Sequence, residues 1–204
     1  MKKRIALIAL ACALALLTGC TGMSQEECLQ DYEERYEQRI VGHFTENEEI
    51  FNRIAETLNA YAVAAEKAGG YRTISLGNYG GYSEAKYALF IVRADAENIV
   101  TREYIDFLHD SAINIYALTE EELDLIFMEG DYGSDTPLTR YMEAKCESFG
   151  HSVSFSFALP QIYNRADRVD ATLWYTKQEI SPDDPDRIND NWYISYYLYW
   201  SSAI

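Results

Sequence analysis

Trp192-Tyr193-Ile194-Ser195-Tyr196-Tyr197-Leu198-Tyr199-Trp200 alternates throughout: Trp192, Ile194, Tyr196, Leu198 and Trp200 fall on one side, with Tyr193, Ser195, Tyr197, Tyr199 and Ser201 on the other. A period of two in aromatic and branched residues marks a strand, whose successive side chains point to opposite faces. The pattern recurs upstream. Val153, Phe155, Phe157 and Leu159 oppose Ser152, Ser154, Ser156 and Ala158, and Leu173 and Tyr175 alternate with Thr172, Trp174 and Thr176. Three strands with one greasy and one Ser/Tyr face describe an antiparallel meander with a single face on the core.

Towards the amino end the period lengthens. Ser24 and Glu27 fit a capping box, a Ser side chain and a Glu three residues on satisfying each other's backbone N–H groups. The helix it opens, about 25–41, is dense in acid (Glu26, Glu27, Asp31, Glu33, Glu34, Glu37), with a thin stripe of Cys28 or Leu29, Tyr32, Tyr36 and Ile40. It reads as a surface helix or a stalk, its acidic side solvated. Gly42-His43 reads as a break and Thr45-Glu46-Asn47-Glu48 as a second capping box. Ile50, Ile54, Leu58, Tyr61 and Ala65 then recur at helical intervals until Gly69-Gly70. Residues 72–76 and 87–93 read as strands, the second so continuously apolar that burial on both faces is expected. Thr101 is expected to cap a helix to about 116 through Ile105, Leu108, Ala112 and Ile115. Thr119 and Glu122 make a third capping box, for a short helix to Phe127. Thr136-Pro137 reads as a helix start, and 137–149 reads as helix, although Met142, Ala144 and Cys146 also alternate as in a strand. Helices first and strands last predict an α+β fold: N-terminal helices packed on a mainly antiparallel sheet that ends in a C-terminal three-stranded meander.

The chain has 204 residues, 17 Lys+Arg against 33 Asp+Glu, and a formal charge of −16. It is 48% hydrophobic, enough for a substantial core. Its acidity argues against a nucleic-acid partner, which needs clustered Lys and Arg, and against electrostatic attraction to anionic lipid. Lys2, Lys3 and Arg4 precede an apolar run from Ile5 to Leu17, too short to span a bilayer, and the run closes on Leu17-Thr18-Gly19-Cys20. This resembles the signal of bacterial lipoproteins. The resemblance covers residues 1–20 only. It implies that 1–19 are removed as a signal peptide and that the Cys20 thiol carries lipid of the palmitate class. It further implies a protein anchored in the bacterial cell membrane on the extracytoplasmic face. Two acyl chains anchor stably where one is marginal. Residues 20–23 would be a short tether and 24–204 a single α+β domain. Three bases and no acid leave with residues 1–19, so the mature chain would carry −19.

Signatures of chemistry are sparse. The sequence contains no His-Glu-x-x-His, Gly-x-Ser-x-Gly, phosphate loop or Cys-x-x-Cys, and nothing calls for a cofactor. His43, His109 and His151 are far apart and read as surface or capping residues. Cys28 and Cys146 would either form one bridge, pinning the acidic helix to the body, or stay as small buried hydrophobes. Residues 181–191 gather Asp183, Asp184, Asp186 and Asp190, the oxygen-rich chemistry of a Ca²⁺ site without EF-hand spacing; Pro and Asp are also what a long connection uses. Asp131 and Asp135 are a weaker candidate. Trp174, Tyr193, Tyr197 and Tyr199 would form an aromatic stripe on the outer face of the sheet, suited to stacking on sugars or receiving a protein, unless the helices cover it. The expectation is a non-catalytic binding domain at the cell surface with a protein or carbohydrate partner. The alternatives are a cell-envelope hydrolase using a carboxylate acid/base pair, and a structural or assembly lipoprotein docking a partner through its acidic helix.

Overall fold

In the computed structural model, which describes residues 24–79, 83–94, 100–127, 141–147, 152–159, 166–178 and 180–200, Ser24 opens helix α1 (Gln25–Glu46) with the expected capping box. Ser24 N–H donates to Glu27 Oε2 (2.7 Å), and Glu27 N–H donates to Ser24 Oγ (3.1 Å). Cys28, Tyr32, Tyr36, Ile40 and Phe44 are buried at four-residue spacing. The helix is therefore a cover laid on the sheet and not a stalk. Gly42-His43 does not break it: Phe44 takes a place in the core, and that burial outweighs the roughly 1 kcal/mol a helical glycine costs. The second capping box is not formed either. Thr45 Oγ1 donates back to Val41 O (2.7 Å), and Asn47 turns the chain into α2 (Glu48–Lys67) without a side-chain cap. Gly69 and Gly70, with φ of +124° and +92°, end α2 as expected. Gly70 N–H reaches Ala65 O (2.9 Å) and Gly69 N–H reaches Glu66 O (3.3 Å), the paired closure of a Schellman motif.

Seven strands follow: β1 (Thr73–Asn78), β2 (Tyr87–Ala94), β3 (Val100–Asp106), β4 (Tyr141–Glu147), β5 (Val153–Leu159), β6 (Ala166–Tyr175) and β7 (Trp192–Trp200), with α3 (Glu120–Ile126) between β3 and β4. They form one sheet in the order β3-β2-β1-β4-β5-β6-β7, every pair antiparallel. The fold is thus α+β, and the C-terminal meander has four strands where three are expected.

Two readings as helix are corrected. Residues 100–106 are an edge strand on β2, followed by turns. The Ile105, Leu108, Ala112, Ile115 stripe is not a buried face, since Ile115 is exposed while Phe107 and Ile113 are buried. Val100, Thr101, Tyr104 and Ile105 favour strand, and pairing with the apolar β2 decides the outcome. Residues 141–147 are strand β4, with Ala144 and Cys146 in the alternation expected of a strand; 136–140 and 148–149 lie outside the described residues. The third capping box is present, Thr119 with Glu122, opening α3. Burial of β2 on both faces is also corrected. Tyr87, Leu89 and Ile91 are in the core; on the other face Ala88 is buried as expected, while Phe90 and Val92 are only half-buried.

The core lies between the helices and one sheet face, in two cross-strand rows. Leu89, Leu76, Ala144, Phe155, Leu173 and Ile194 form one, and Ile91, Ile74, Cys146, Val153, Tyr175 and Trp192 the other. Trp192 is the hub. Its ring lies 4.8 Å from Phe44, 5.2 Å from Tyr175, 5.5 Å from Phe155 and 6.0 Å from Phe51. Its Nε1–H donates to Asn52 Oδ1 (2.8 Å), which lets a polar handle sit inside the core. No helix among the described residues is long and apolar enough to cross a membrane.

Candidate functional site

With both long helices on one face, no described helix covers the opposite face at β5–β7, where Tyr197 and Tyr199 are exposed while Ser154 and Asp170 are buried. Strand register sets its chemistry in rows. Ser154, Trp174 and Tyr193 form the first, Ser156, Thr172 and Ser195 the second, and Ala158, Asp170 and Tyr197 the third. Tyr199 follows Tyr197 on the same side. Rows two residues apart are about 6.8 Å apart along the strand, so Tyr193 and Tyr197 flank the row of hydroxyls. Trp174 and Tyr193 stack with centroids 6.0 Å apart and planes at 8°, and Trp174 Nε1–H donates to Ser195 Oγ (2.8 Å). Ser156 Oγ and Thr172 Oγ1 are 3.3 Å apart. Tyr197 and Tyr199 meet edge to face at 4.7 Å, and they are 61% and 45% exposed. The four aromatic residues expected on this face are on it, the outer two uncovered. Trp192, Ile194, Tyr196 and Leu198 face the helices as expected; the side chain of Trp200 lies outside the described residues.

A second aromatic group, not anticipated, occupies the same face at β1–β3. Phe90 and Tyr104 stack at 4.7 Å, and Tyr79 closes over both at 6.0 and 5.5 Å. The Tyr79 hydroxyl donates to Glu143 Oε2 (2.9 Å) and sits 3.0 Å from Ser75 Oγ; burial and the Glu143 carboxylate push it up. The signal was the alternation of Arg102 and Tyr104, which a helical reading of 101–116 hides.

The acidic loop is a structural connection. Asp184 Oδ1 accepts from Asp186 N–H (3.0 Å), Arg187 pairs with Asp190, and Asn189 Nδ2–H donates to Glu48 Oε1 (3.0 Å). Asp183, Asp184, Asp186 and Asp190 do not converge, and among the described residues no group of three or more His, Cys, Asp or Glu is placed to hold a metal ion. Asp131, Asp135, His151 and Cys20 lie outside the described residues. Cys28 and Cys146 are free, buried thiols, so the bridge is not formed. The helix carrying Cys28 packs on β7, three strands from Cys146, roughly 14 Å across the sheet, and a disulfide needs Cα atoms within about 7 Å. Cys146 Sγ instead lies 3.5 Å from the Tyr71 hydroxyl.

A shallow cleft of about 530 Å³ opens at the start of α2, lined by Glu48, Glu49, Asn52, Arg53, Glu56, Tyr175 and Asn191. Most of its polar groups already serve the fold. Arg53 pairs with Glu122 of α3, Asn52 holds Trp192, and Glu48 accepts from Asn189. These long-range bonds join α2 to α3 and the β6–β7 turn, and no local pattern announces them. The carboxyls held above their ordinary range lie elsewhere. Glu33 is raised by burial, Asp186 and Glu37, and Asp186 by burial and Asp184.

No family model matches this chain, and no curated protein or solved structure matches it.

Proposed function

We propose that this chain is a bacterial lipoprotein, anchored through lipid on Cys20 on the extracytoplasmic face of the cell membrane, whose α+β domain binds a protein or carbohydrate partner without catalysis. The anchoring rests on the basic start, the 13-residue apolar run and Leu17-Thr18-Gly19-Cys20. The binding role rests on one observation: Tyr197 is 61% exposed on a sheet face that no described helix covers. Tyrosine joins a large apolar area to a polar tip at low entropic cost, which suits it to contact surfaces. The hydroxyls of Ser156, Thr172 and Ser195 beside it add hydrogen-bonding capacity, and the buried Asp170 lies directly across from Tyr197 on β6. A hydrolase reading has less behind it, because Glu33 and Asp186, the carboxyls with raised values, stand outside the cleft.

A photoreactive benzophenone side chain at position 197, in the otherwise intact protein on living cells, should yield a covalent adduct on illumination. The same group at exposed Gln38 on α1 should yield none. Absence of any adduct at 197, or equal labelling at both positions, refutes the outer face as the binding surface.

A further inference from the structure

The sheet has two edges, and among the described residues only one is protected along its length. β3 carries Arg102, Glu103 and Asp106 along its edge, the usual defence against pairing with another chain. β7 has no charged residue, proline or glycine between Trp192 and Trp200. Which of its backbone groups face outward follows from the bonds at its start. Ile194 N–H donates to Asp186 O (2.9 Å), Trp192 O accepts from Ile188 N–H (2.8 Å), and Arg187 bridges antiparallel to Tyr193. Residues 186–188 thus lie against β7 as a fragment of an extra strand. Backbone groups of successive residues point to opposite sides, so the even positions of β7 face this edge and the odd ones face β6. Tyr196 and Leu198 present N–H and C=O on the same side, past the end of the fragment. Among the described residues no main-chain group pairs with them there. An extended, uncharged row of unmade backbone hydrogen bonds is a template for an added strand.

The charge around that edge selects what the strand carries. The Tyr196 side chain turns to the helix layer, where Glu37, Glu33 and Asp186 act on its hydroxyl, and the hydroxyl is buried without a partner among the described residues. The charges that bear on Tyr196, Glu33 and Asp186 are carboxylates from two elements, α1 and the 181–191 loop. A cation entering there relieves their mutual repulsion. A second copy of this chain fits poorly, because pairing β7 with β7 brings two acidic α1 helices together. We propose that the free part of the β7 edge, at Tyr196 and Leu198, takes up an extended basic peptide as an additional strand, with Lys or Arg side chains lying over Glu33, Glu37 and Asp186. This site is separate from the tyrosine face and does not depend on it.

The full-length protein in detergent micelles is titrated, by fluorescence anisotropy, into labelled octapeptides of three kinds: (Lys-Thr)₄, (Glu-Thr)₄ and (Lys-Pro)₄. The first binds. The second is weaker by about tenfold or more through charge. The third, which keeps the charge but lacks half of the N–H groups, is weaker by about fivefold or more. Saturation with (Lys-Thr)₄ slows hydrogen exchange at the Tyr196 and Leu198 amides. Leu198→Pro, which removes an edge-facing N–H and spares the β6 ladder, weakens binding, as does Glu33→Gln with Asp186→Asn. Val63→Ser, on the exposed side of α2, leaves it unchanged. The proposal is overturned if (Lys-Thr)₄ fails to bind, if (Lys-Pro)₄ binds equally well, or if exchange at Tyr196 and Leu198 is unaltered. Should Leu198→Pro not fold, the peptide series and the exchange data still decide.

Discussion

Gly42 sits in the body of α1, where its lack of a side chain serves nothing. A Cβ built there has no neighbour within 4 Å, and its φ is not in the left-handed region. Gly42→Ala should stabilise the protein by about 0.5–1 kcal/mol, chiefly by restricting the unfolded chain, with the midpoint of urea unfolding as the measure. Asn52 is the opposite case. It is the acceptor for Trp192 Nε1–H at 2.8 Å, and among the described residues that buried donor has no other partner. Asn52→Ala should cost about 1–3 kcal/mol, the penalty of a desolvated donor left unsatisfied. A loss below a few tenths would show that water replaces the amide.

The contact between α1 and the 181–191 loop gathers like charge. Burial first, then Asp186 and Glu37, hold the Glu33 carboxyl above its ordinary value. A folded-state value above the unfolded one means that ionised Glu33 opposes folding at neutral pH. That opposition is relieved as pH falls through the folded value towards the unfolded one. Glu33→Gln should therefore be more stable than the parent at pH 7, with the difference closing by about pH 4. Urea midpoints across that range test it, and a difference independent of pH contradicts the cause given. Among the elements, those whose reasons are local are readable from sequence: the capping boxes at Ser24 and Thr119, the Gly69-Gly70 stop, and the alternation of β5 and β7. Elements whose reasons are distant are not. Phe44, through its place beside Trp192, carries α1 past Gly42. Val100 to Asp106 are strand because β2 needs a neighbour, and 141–147 because β1 and β5 flank them. The tyrosine face is likewise readable as a stripe. The Phe90–Tyr104 stack and the Glu33–Asp186 encounter depend on register and packing that no short window contains.

For the whole chain, the proposed anchoring through Cys20 has a direct consequence. Cys20→Ala should abolish lipidation and leave residues 1–19 attached. The protein should move from the detergent to the aqueous phase on Triton X-114 partitioning, and unchanged partitioning of the variant would refute anchoring through that residue. The strand order holds a separate consequence, for how the molecule assembles. β1–β3 and β4–β7 are each chains of hairpin neighbours, and among the described strands only β1 and β4 pair across a long separation, about 70 residues of chain. That junction consists of four residue pairs, Thr73 with Glu147 through Leu76 with Ala144. Each meander can form from contacts near in sequence, but loop closure must be met before the junction gains anything. By that reasoning the two meanders join only after each has formed. A chain halted before they join would carry two more raw edges, β1 and β4, on separate half-sheets.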